Sequence, residues 1–218
     1  MGERTTEEYL ETIGELERLE SPVRTSSLAE ALGLSSGSIS EMLQRLSKKG
    51  LVKYTPYGGV SLTAEGRKRF LKLTRRHRLW EVFLNKYLGI AWEDVYPEAC
   101  SLEHSTSDLV AESLAQFLNN PEYCPHGSPI PDGNCKLPEV SGIPLSKLEV
   151  GRIGKMVGVE CESDTQCLRY LTNIGLTPGA KIKILERSAF DGTLTIEVNG
   201  SSKAMGVQLA SLIMVEPT

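Results

Sequence analysis

The stretch EACSLEH, residues 98–104, concentrates side chains that can bind a metal ion. It holds a thiol, an imidazole and two carboxylates, in a chain that has only 3 histidines and 5 cysteines. In a helix, Cys100, Glu103 and His104 stand at positions i, i+3 and i+4, so their side chains project from one face. Such a set of donors indicates a site for a cation, with Glu98 as a nearby carboxylate.

Two further pairs have the spacing of metal ligands on a helix. His77 and Glu81 are four residues apart, and Glu8 and Glu11 are three apart. Taken alone, the first pair is more typical of a surface salt bridge and the second of a solvated helix face. Together with a thiol, these imidazoles and carboxylates suit Fe2+ or Mn2+ better than Ca2+, which takes only oxygens, or a structural zinc.

A loop rich in proline and glycine, CPHGSPIPDGNC, offers a separate possibility. Its Cys124, His126 and Cys135 could hold an accessory metal, or the segment could be a tight loop with incidental thiols. Both interpretations stay open from the residues alone.

The composition indicates a cytoplasmic protein of one to three domains. The chain has 218 residues, of which 40% are hydrophobic, and its odd number of cysteines does not resemble a secreted disulfide framework. The start of the sequence, MGERTTEEYLETI, is acidic and helical, unlike a signal peptide. No apolar stretch has the length of a membrane span.

The charge distribution predicts two different tasks, although the net charge is only −4. Residues 40–78 hold eleven bases and two acids, whereas residues 79–145 hold two bases and ten acids. A basic region followed by an acidic one indicates anion contact in the first and cation capture in the second.

Residues 1–73 are expected to form a winged helix-turn-helix DNA-binding domain. An opening helix is followed by SLAEALGLSSGSISEMLQRLSKKGLV, in which Ala29, Gly33 and Ile39 have helix-turn-helix spacing. Ser26 or Ser27 is expected to cap the first of these helices and Ser35 or Ser36 the second, which ends at Gly50. LVKYTPYGGVSLT then predicts two short strands around a turn, the wing.

Residues 74–140 are expected to form a helical domain for metal binding and dimerisation. A long helix over 64–88 and a second one over 93–118 carry more apolar residues than two helices can bury against each other, which predicts a homodimer. Residues 145–218 predict five short strands and a helix over 165–174, a compact SH3-like β-barrel. The fold class is therefore mainly α with a small β domain.

The motifs TTEEYLETI, LAEALGLSSGSISEMLQRLSKKGLV, RRHRLWEVFL, EACSLEH and HGSPIP, in this order, resemble the iron- and manganese-dependent repressors of the diphtheria toxin repressor and manganese transport regulator type. The resemblance covers essentially the whole chain, and the last domain looks like their SH3-like, FeoA-type module. It implies a homodimer that binds palindromic operator DNA when Fe2+ or Mn2+ is bound, with Fe2+ favoured because Cys100 matches the iron branch.

The resemblance also implies roles for individual residues. A primary site would use Glu8, Cys100, Glu103 and His104, and an ancillary site His77 and Glu81. Because Tyr96 replaces a histidine of the iron branch, Glu98, Glu11 or the last domain, through Asp164 and Gln166 or Cys167, would complete the ancillary site. DNA contacts are expected from the recognition helix and wing, at Ser35, Ser36, Ser38, Ser40, Glu41, Gln44, Arg45, Lys48, Lys49, Lys53 and Tyr57.

Two other functional classes have to be weighed against a metal-activated repressor. A metalloenzyme could use these donors to activate water, but the chain has no nucleophile motif and no glycine-rich phosphate loop. A constitutive winged-helix protein with a structural metal site is the main alternative, and it would bind DNA without regard to the ion. No membrane and no small-molecule substrate is expected as a partner.

Overall fold

A computed structural model describes residues 2–139 and 142–218 and divides the chain into two compact units. The first unit comprises Met1–Arg76 and Pro131–Lys136, and the second comprises His77–Ile130 and Leu137–Thr218. Among the described helices, none combines the length and apolar content needed to cross a bilayer.

The first unit contains the expected winged helix-turn-helix. Its elements are α1 (Glu3–Leu16), α2 (Thr25–Leu32), α3 (Ser36–Lys48), β1 (Val52–Thr55), β2 (Gly59–Leu62) and the start of α4 (Ala64–Leu88). Gly33 ends α2 with φ of 64°, a left-handed conformation that costs glycine little. Ser35 caps α3 by accepting a hydrogen bond from the backbone N–H of Ser38, and Ile39 is fully buried behind it.

The expected serine cap of α2 was wrong. The helix begins at Thr25, and its N-cap residue, Arg24, makes no side-chain cap hydrogen bond. The Glu20 carboxylate takes over this role, because it accepts hydrogen bonds from the backbone N–H of Arg24 and from the hydroxyl of Ser27. These bonds, with that from the Arg24 side chain, lower the pKa of Glu20.

The wing is fixed to the helices by Glu17, at the end of α1. One oxygen of this nearly buried carboxylate accepts a hydrogen bond of 2.9 Å from the backbone N–H of Leu62, and the other pairs with Arg67 on α4. β1 and β2 pair in an antiparallel register that sets Val52 opposite Leu62. The wing therefore has a defined position beside the recognition helix α3.

The second unit begins with the rest of α4 and continues with α5 (Val95–Glu103) and α6 (Asp108–Phe117). The expected single helix over 93–118 was wrong, because it breaks between Glu103 and Asp108. Ser107 caps α6 by accepting from the backbone N–H of Val110, and the Thr106 hydroxyl donates to the Leu102 carbonyl. Short hydroxyl side chains compete for backbone groups in this way, which favours a new helix start.

The rest of the second unit is a six-stranded antiparallel sheet in the order β3-β8-β4-β5-β6-β7. The strands are β3 (Ile143–Pro144), β4 (Ile153–Val159), β5 (Lys181–Arg187), β6 (Leu194–Val198), β7 (Ser201–Met205) and β8 (Ile213–Pro217). A 3-10 turn (Leu145–Lys147), α7 (Thr165–Asn173) and α8 (Val207–Ser211) pack with them around fully buried residues such as Met156 and Leu168. The short β3 and α8 were not expected.

The loop over 124–130 lies directly against this sheet. The backbone N–H of Val159 donates to the His126 carbonyl at 2.9 Å. Gly127 has φ of 83°, and a Cβ there would lie 2.0 Å from the Val157 carbonyl oxygen. Only glycine fits this close approach, which holds the loop in place.

Replacing Gly127 with alanine is therefore expected to lower the free energy of unfolding of the second unit by at least about 3 kcal/mol, because strain at a positive φ is added to a backbone clash. Gly179→Ala is the matched control, since Gly179 has φ of 93° but no atom within 4 Å of the added Cβ. Urea unfolding of both variants measures the difference. Equal losses would show that the contact with Val157 does not hold the loop.

Candidate metal centre

Helices α4 and α5 bring three of the expected ligands together in the second unit. The Nδ1 atom of His77 lies 2.7 Å from Oε2 of Glu103 and 3.9 Å from Sγ of Cys100. One donor atom from each of the three residues lies within 4.8 Å of the other two. His104 follows α5, with its Nε2 3.3 Å from Oε1 of Glu103. We call His77, Cys100, Glu103 and His104 the first cluster.

A second cluster consists of Glu81, Cys124 and His126, all of them buried. Nδ1 of His126 lies 3.0 Å from Oε1 of Glu81 and 4.0 Å from Sγ of Cys124. Nε2 of His126 lies 2.7 Å from the Trp92 carbonyl, which orients the ring so that Nδ1 faces the carboxylate. The second cluster thus has an imidazole, a thiol and a carboxylate around one point.

His77, a member of the first cluster, also contacts the second cluster. While its Nδ1 faces Glu103, its Nε2 lies 3.3 Å from Oε1 of Glu81. The spacing His77–Glu81 therefore corresponds to a real contact, but these two residues do not form a separate pair. Each of them belongs to a different cluster of donors.

The protonation of both clusters is governed by their burial and mutual contacts. Burial alone would lower the pKa of His77, but contacts with Cys100, Glu103 and Glu81 outweigh it and raise that pKa well above its usual value. Burial would raise the pKa of Glu81, yet the close contacts with His126 and His77 hold it well below its usual range. The raised pKa of His77 and the lowered pKa of Glu81 both favour the ion pair between these two side chains.

Several buried nitrogen and oxygen atoms that could bind a metal nevertheless lack a well-aligned hydrogen bond. They are Nε2 of His77, both carboxylate oxygens of Glu81 and Oε1 of Glu103. Buried polar atoms without such a bond destabilise a protein, and they are rare without a functional reason. Lone pairs that converge at short distances without aligned hydrogen bonds fit the ligand shell of a divalent transition metal ion.

The second cluster was only partly expected from the sequence. Cys124 and His126 were considered with Cys135, but Cys135 lies in the first unit, where its sulfur is 3.8 Å from the Lys68 carbonyl oxygen. The third donor is Glu81, 43 residues earlier in the chain. The spacing Cys-Pro-His was the only signal, and it did not identify the partner.

Glu162, which the sequence analysis did not single out, supports the second cluster from the β domain. Its carboxylate accepts hydrogen bonds from Ser128 at 2.5 Å and from Arg78 at 3.3 Å. Arg78 also donates to the Pro129 carbonyl, so the loop that carries Cys124 and His126 is held on both sides. Burial raises the pKa of the Cys124 thiol, and the charges of Glu81 and Glu162 raise it further.

The other residues considered as ligands have the following surroundings within their own units. Glu98 is exposed on α5, and in the first unit Glu8 pairs with Arg4 at 3.1 Å. Glu11 is half-buried on α1. In the β domain, Asp164 caps α7 through the backbone N–H groups of Gln166 and Cys167, and Cys167 contacts Cys161. Asp164, Gln166 and Cys167 are thus engaged in local structure.

The expected DNA-contacting residues lie in or next to α3 and in the wing of the first unit. All of them are exposed except Ser40, which is half-buried, and Arg45 pairs with Glu41 along the helix. A groove of about 500 Å³ lies between α3 and the wing. Its lining includes Arg24, Thr25 and Ser26 at the start of α2, which were not expected to contact DNA.

An exposed apolar surface covers parts of α4 and α6. The rings of Phe83, Tyr87 and Phe117 contact one another, with centroids 4.9 to 6.1 Å apart. Phe117 is 56% exposed and Leu109 77% exposed. We call Phe83, Tyr87 and Phe117 the aromatic face.

Comparison with protein families supports this reading of the chain. Residues 2–60 match the model described as "Iron dependent repressor, N-terminal DNA binding domain", and residues 63–132 match "Iron dependent repressor, metal binding and dimerisation domain". Residues 143–217 match the FeoA domain.

Individual relatives cover nearly the full length. The diphtheria toxin repressor of Corynebacterium glutamicum is 32% identical over 97% of this chain and 96% of its own, and the iron-dependent repressor IdeR of Mycobacterium leprae is 29% identical over the same shares. A manganese-dependent transcriptional repressor in complex with manganese superposes with a TM-score of 0.87, at 32% identity, covering 98% of this chain and 100% of that one. ScaR with bound Zn2+ gives 0.82 at 31% identity, covering 97% and 98%.

Proposed function

The chain belongs to the iron-dependent repressor family of metal-dependent transcriptional repressors, and on that premise we propose that Fe2+ or Mn2+, bound at the two clusters, switches it to an operator-binding homodimer. The observation that carries this proposal is the set of buried donor atoms that converge without aligned hydrogen bonds.

The ligands of the proposed centres follow from the contacts. The first cluster would use Cys100, Glu103 and His104 together with His77. The second would use Glu81, Cys124 and His126. Glu8 and Glu11 are proposed ligands because of the motif in which they stand. Glu98 is exposed, and Asp164, Gln166 and Cys167 are engaged in local structure, so these four are not proposed as ligands.

The bound ion would supply positive charge, which neutralises the buried carboxylates and replaces protons on the imidazoles and thiols. The protein residues orient the ligands and hold the loop that carries two of them. Trp92 orients His126 through its carbonyl, and the Arg78–Glu162–Ser128 contacts hold the loop of the second cluster. Metal binding would thereby shift the population of chains toward the conformation in which the clusters are ordered, and this conformation would bind DNA better.

The proposed ion is Fe2+ or Mn2+, with Fe2+ preferred. Each cluster contains one thiol beside imidazole and carboxylate, and soft sulfur ligands favour later transition metals over Mn2+. Anaerobic titration of each ion against operator affinity decides between them.

DNA would be bound through α3 and the wing. Serine hydroxyls at the start of α3 make few bidentate base contacts, so most of the affinity would come from phosphate contacts by basic residues. Because operator DNA is the proposed partner, we expect the protein in the cytoplasm.

Replacing Lys48 and Lys49 together with alanine is expected to weaken operator binding and to lower the salt slope by about 0.9 for each phosphate that is no longer neutralised, because fewer counterions are released. The preference for the operator over random DNA should change little. Fluorescence anisotropy over a range of salt concentrations measures both quantities. Lys181→Ala, an exposed lysine on β5, is the control, and an unchanged slope in the double variant would contradict the assigned surface.

The proposal as a whole is tested by operator affinity in the presence of Fe2+ or Mn2+ and in the presence of a chelator. A fragment selected from random DNA by the metal-loaded protein serves as operator. We expect tight binding only with metal. Equal binding with the chelator would support the alternative, a constitutive winged-helix protein whose metal is structural.

A further inference from the structure

Two free thiols in the β domain lie in direct contact and take no part in either cluster. Cys161 follows β4, and Cys167 is in the first turn of α7. Their sulfur atoms are 2.6 Å apart, and both side chains are half-buried. Sulfur atoms this close form a bond when they move together by about 0.6 Å.

The segment between these cysteines is ordered by its own hydrogen bonds. Asp164 accepts from the backbone N–H groups of Gln166 and Cys167 at 3.0 Å, and its own N–H donates to the Cys161 carbonyl at 3.0 Å. The turn therefore holds the two thiols together. Closing so short a loop costs little additional chain entropy.

The same segment supports the second cluster. Glu162, the residue after Cys161, accepts hydrogen bonds from Ser128 and Arg78, which hold the loop of Cys124 and His126. A covalent change at Cys161 is thus one residue away from a contact that positions metal ligands. Partners that orient ligands in this way alter metal affinity when they are disturbed.

We propose that Cys161 and Cys167 form a reversible intrachain disulfide with a peroxide oxidant, and that the disulfide weakens metal binding at the second cluster. In the reaction, two thiols and one hydrogen peroxide give one disulfide and two waters: the S–S bond forms, both S–H bonds and the O–O bond break, and the sulfurs are oxidised while the peroxide is reduced. The bond draws Cys161 toward α7 and strains the contact of Glu162 with Ser128. Only this effect on metal affinity rests on the proposed function.

The disulfide is tested in the full chain by mass spectrometry. Trypsin cleavage after Lys155 and Arg169 releases one peptide that contains both cysteines, MVGVECESDTQCLR. After treatment with hydrogen peroxide, this peptide should be about 2 Da lighter, resist alkylation and regain both thiols with dithiothreitol. A peptide that keeps two alkylatable thiols, or whose cysteines gain oxygen irreversibly, would overturn the proposal.

The effect on metal binding is measured with Mn2+ by equilibrium dialysis of the reduced and the oxidised protein. Oxidation should lower the affinity at the second cluster about tenfold. The double variant Cys161→Ser, Cys167→Ser, treated in the same way, should keep its affinity. Equal loss in this variant would assign the effect to the ligand thiols Cys100 and Cys124, and an unchanged affinity of the oxidised wild-type chain would overturn the regulatory part.

These outcomes are separate from those of the proposed function. The peptide mass depends on neither metal nor DNA. If the reduced protein bound operator equally with chelator while the peptide still lost two hydrogens, the repressor switch would fail and the disulfide would stand.

Discussion

Replacing Glu103 with glutamine is expected to lower Mn2+ affinity of the first cluster at least about 100-fold and to abolish metal-dependent operator binding. Removing a residue that only hydrogen-bonds to a metal ligand already lowers metal affinity about 10- to 100-fold. Glu103 is itself a proposed ligand and is fully buried between His77 and His104. Glutamine keeps the shape but removes the charge that a divalent cation would neutralise. Equilibrium dialysis and fluorescence anisotropy with operator DNA measure the two effects.

Glu98→Gln is the matched control, because Glu98 is exposed on the same helix and should leave both quantities unchanged. Circular dichroism verifies that Glu103→Gln still folds. As a second variant, Glu81→Gln should reduce the bound Mn2+ from two ions to one. Wild-type operator binding by both cluster variants, in the presence of metal, would refute the role of these sites.

Replacing Phe117 with aspartate is expected to dissociate the homodimer, raising its dissociation constant at least about 30-fold, as for a central interface residue worth about 2 kcal/mol. Phe117 packs on Tyr87 and Phe83 and is more than half exposed, so the aromatic face is available to a second copy. In a dimer the added carboxylate would be desolvated without a partner, which destabilises the interface. In a monomer it stays solvated, so the chain should still fold.

Analytical ultracentrifugation measures the dissociation constant of the dimer, and operator affinity should fall with it because two half-sites need two chains. Phe190→Asp is the control, since Phe190 is fully exposed between β5 and β6 and lies outside the aromatic face. A Phe117→Asp protein that stays dimeric would show that another surface forms the dimer.

Regular elements were predicted well from the sequence, because their signals are local. The bounds of α4 agree with the prediction over 64–88, Ser35 caps α3, and Gly33 forms the turn after α2, as expected. The break at 104–107 was missed, because it depends on the hydroxyls of Thr106 and Ser107 taking backbone partners. Apolar periodicity, which continues across the break, does not report such bonds.

The metal clusters were predicted less completely, since they join distant parts of the chain. The spacing of Cys100, Glu103 and His104 predicted one group of donors, and in the structure Glu103 contacts His104 directly after α5. Helical spacing also paired His77 with Glu81, but an imidazole has two nitrogens and can face two neighbours at once. Which residue joins Cys124 and His126 depends on tertiary packing, and no local pattern pointed to Glu81.

The position of His77 has a consequence for how the protein would respond to its effector. A neutral imidazole carries one proton on one of its two nitrogens. If Nδ1 serves as a ligand beside Glu103, that proton resides on Nε2 and points toward Glu81. The curve of operator binding against ion concentration would then not be that of two independent sites. An ion at one cluster would change the ion concentration at which the other cluster fills.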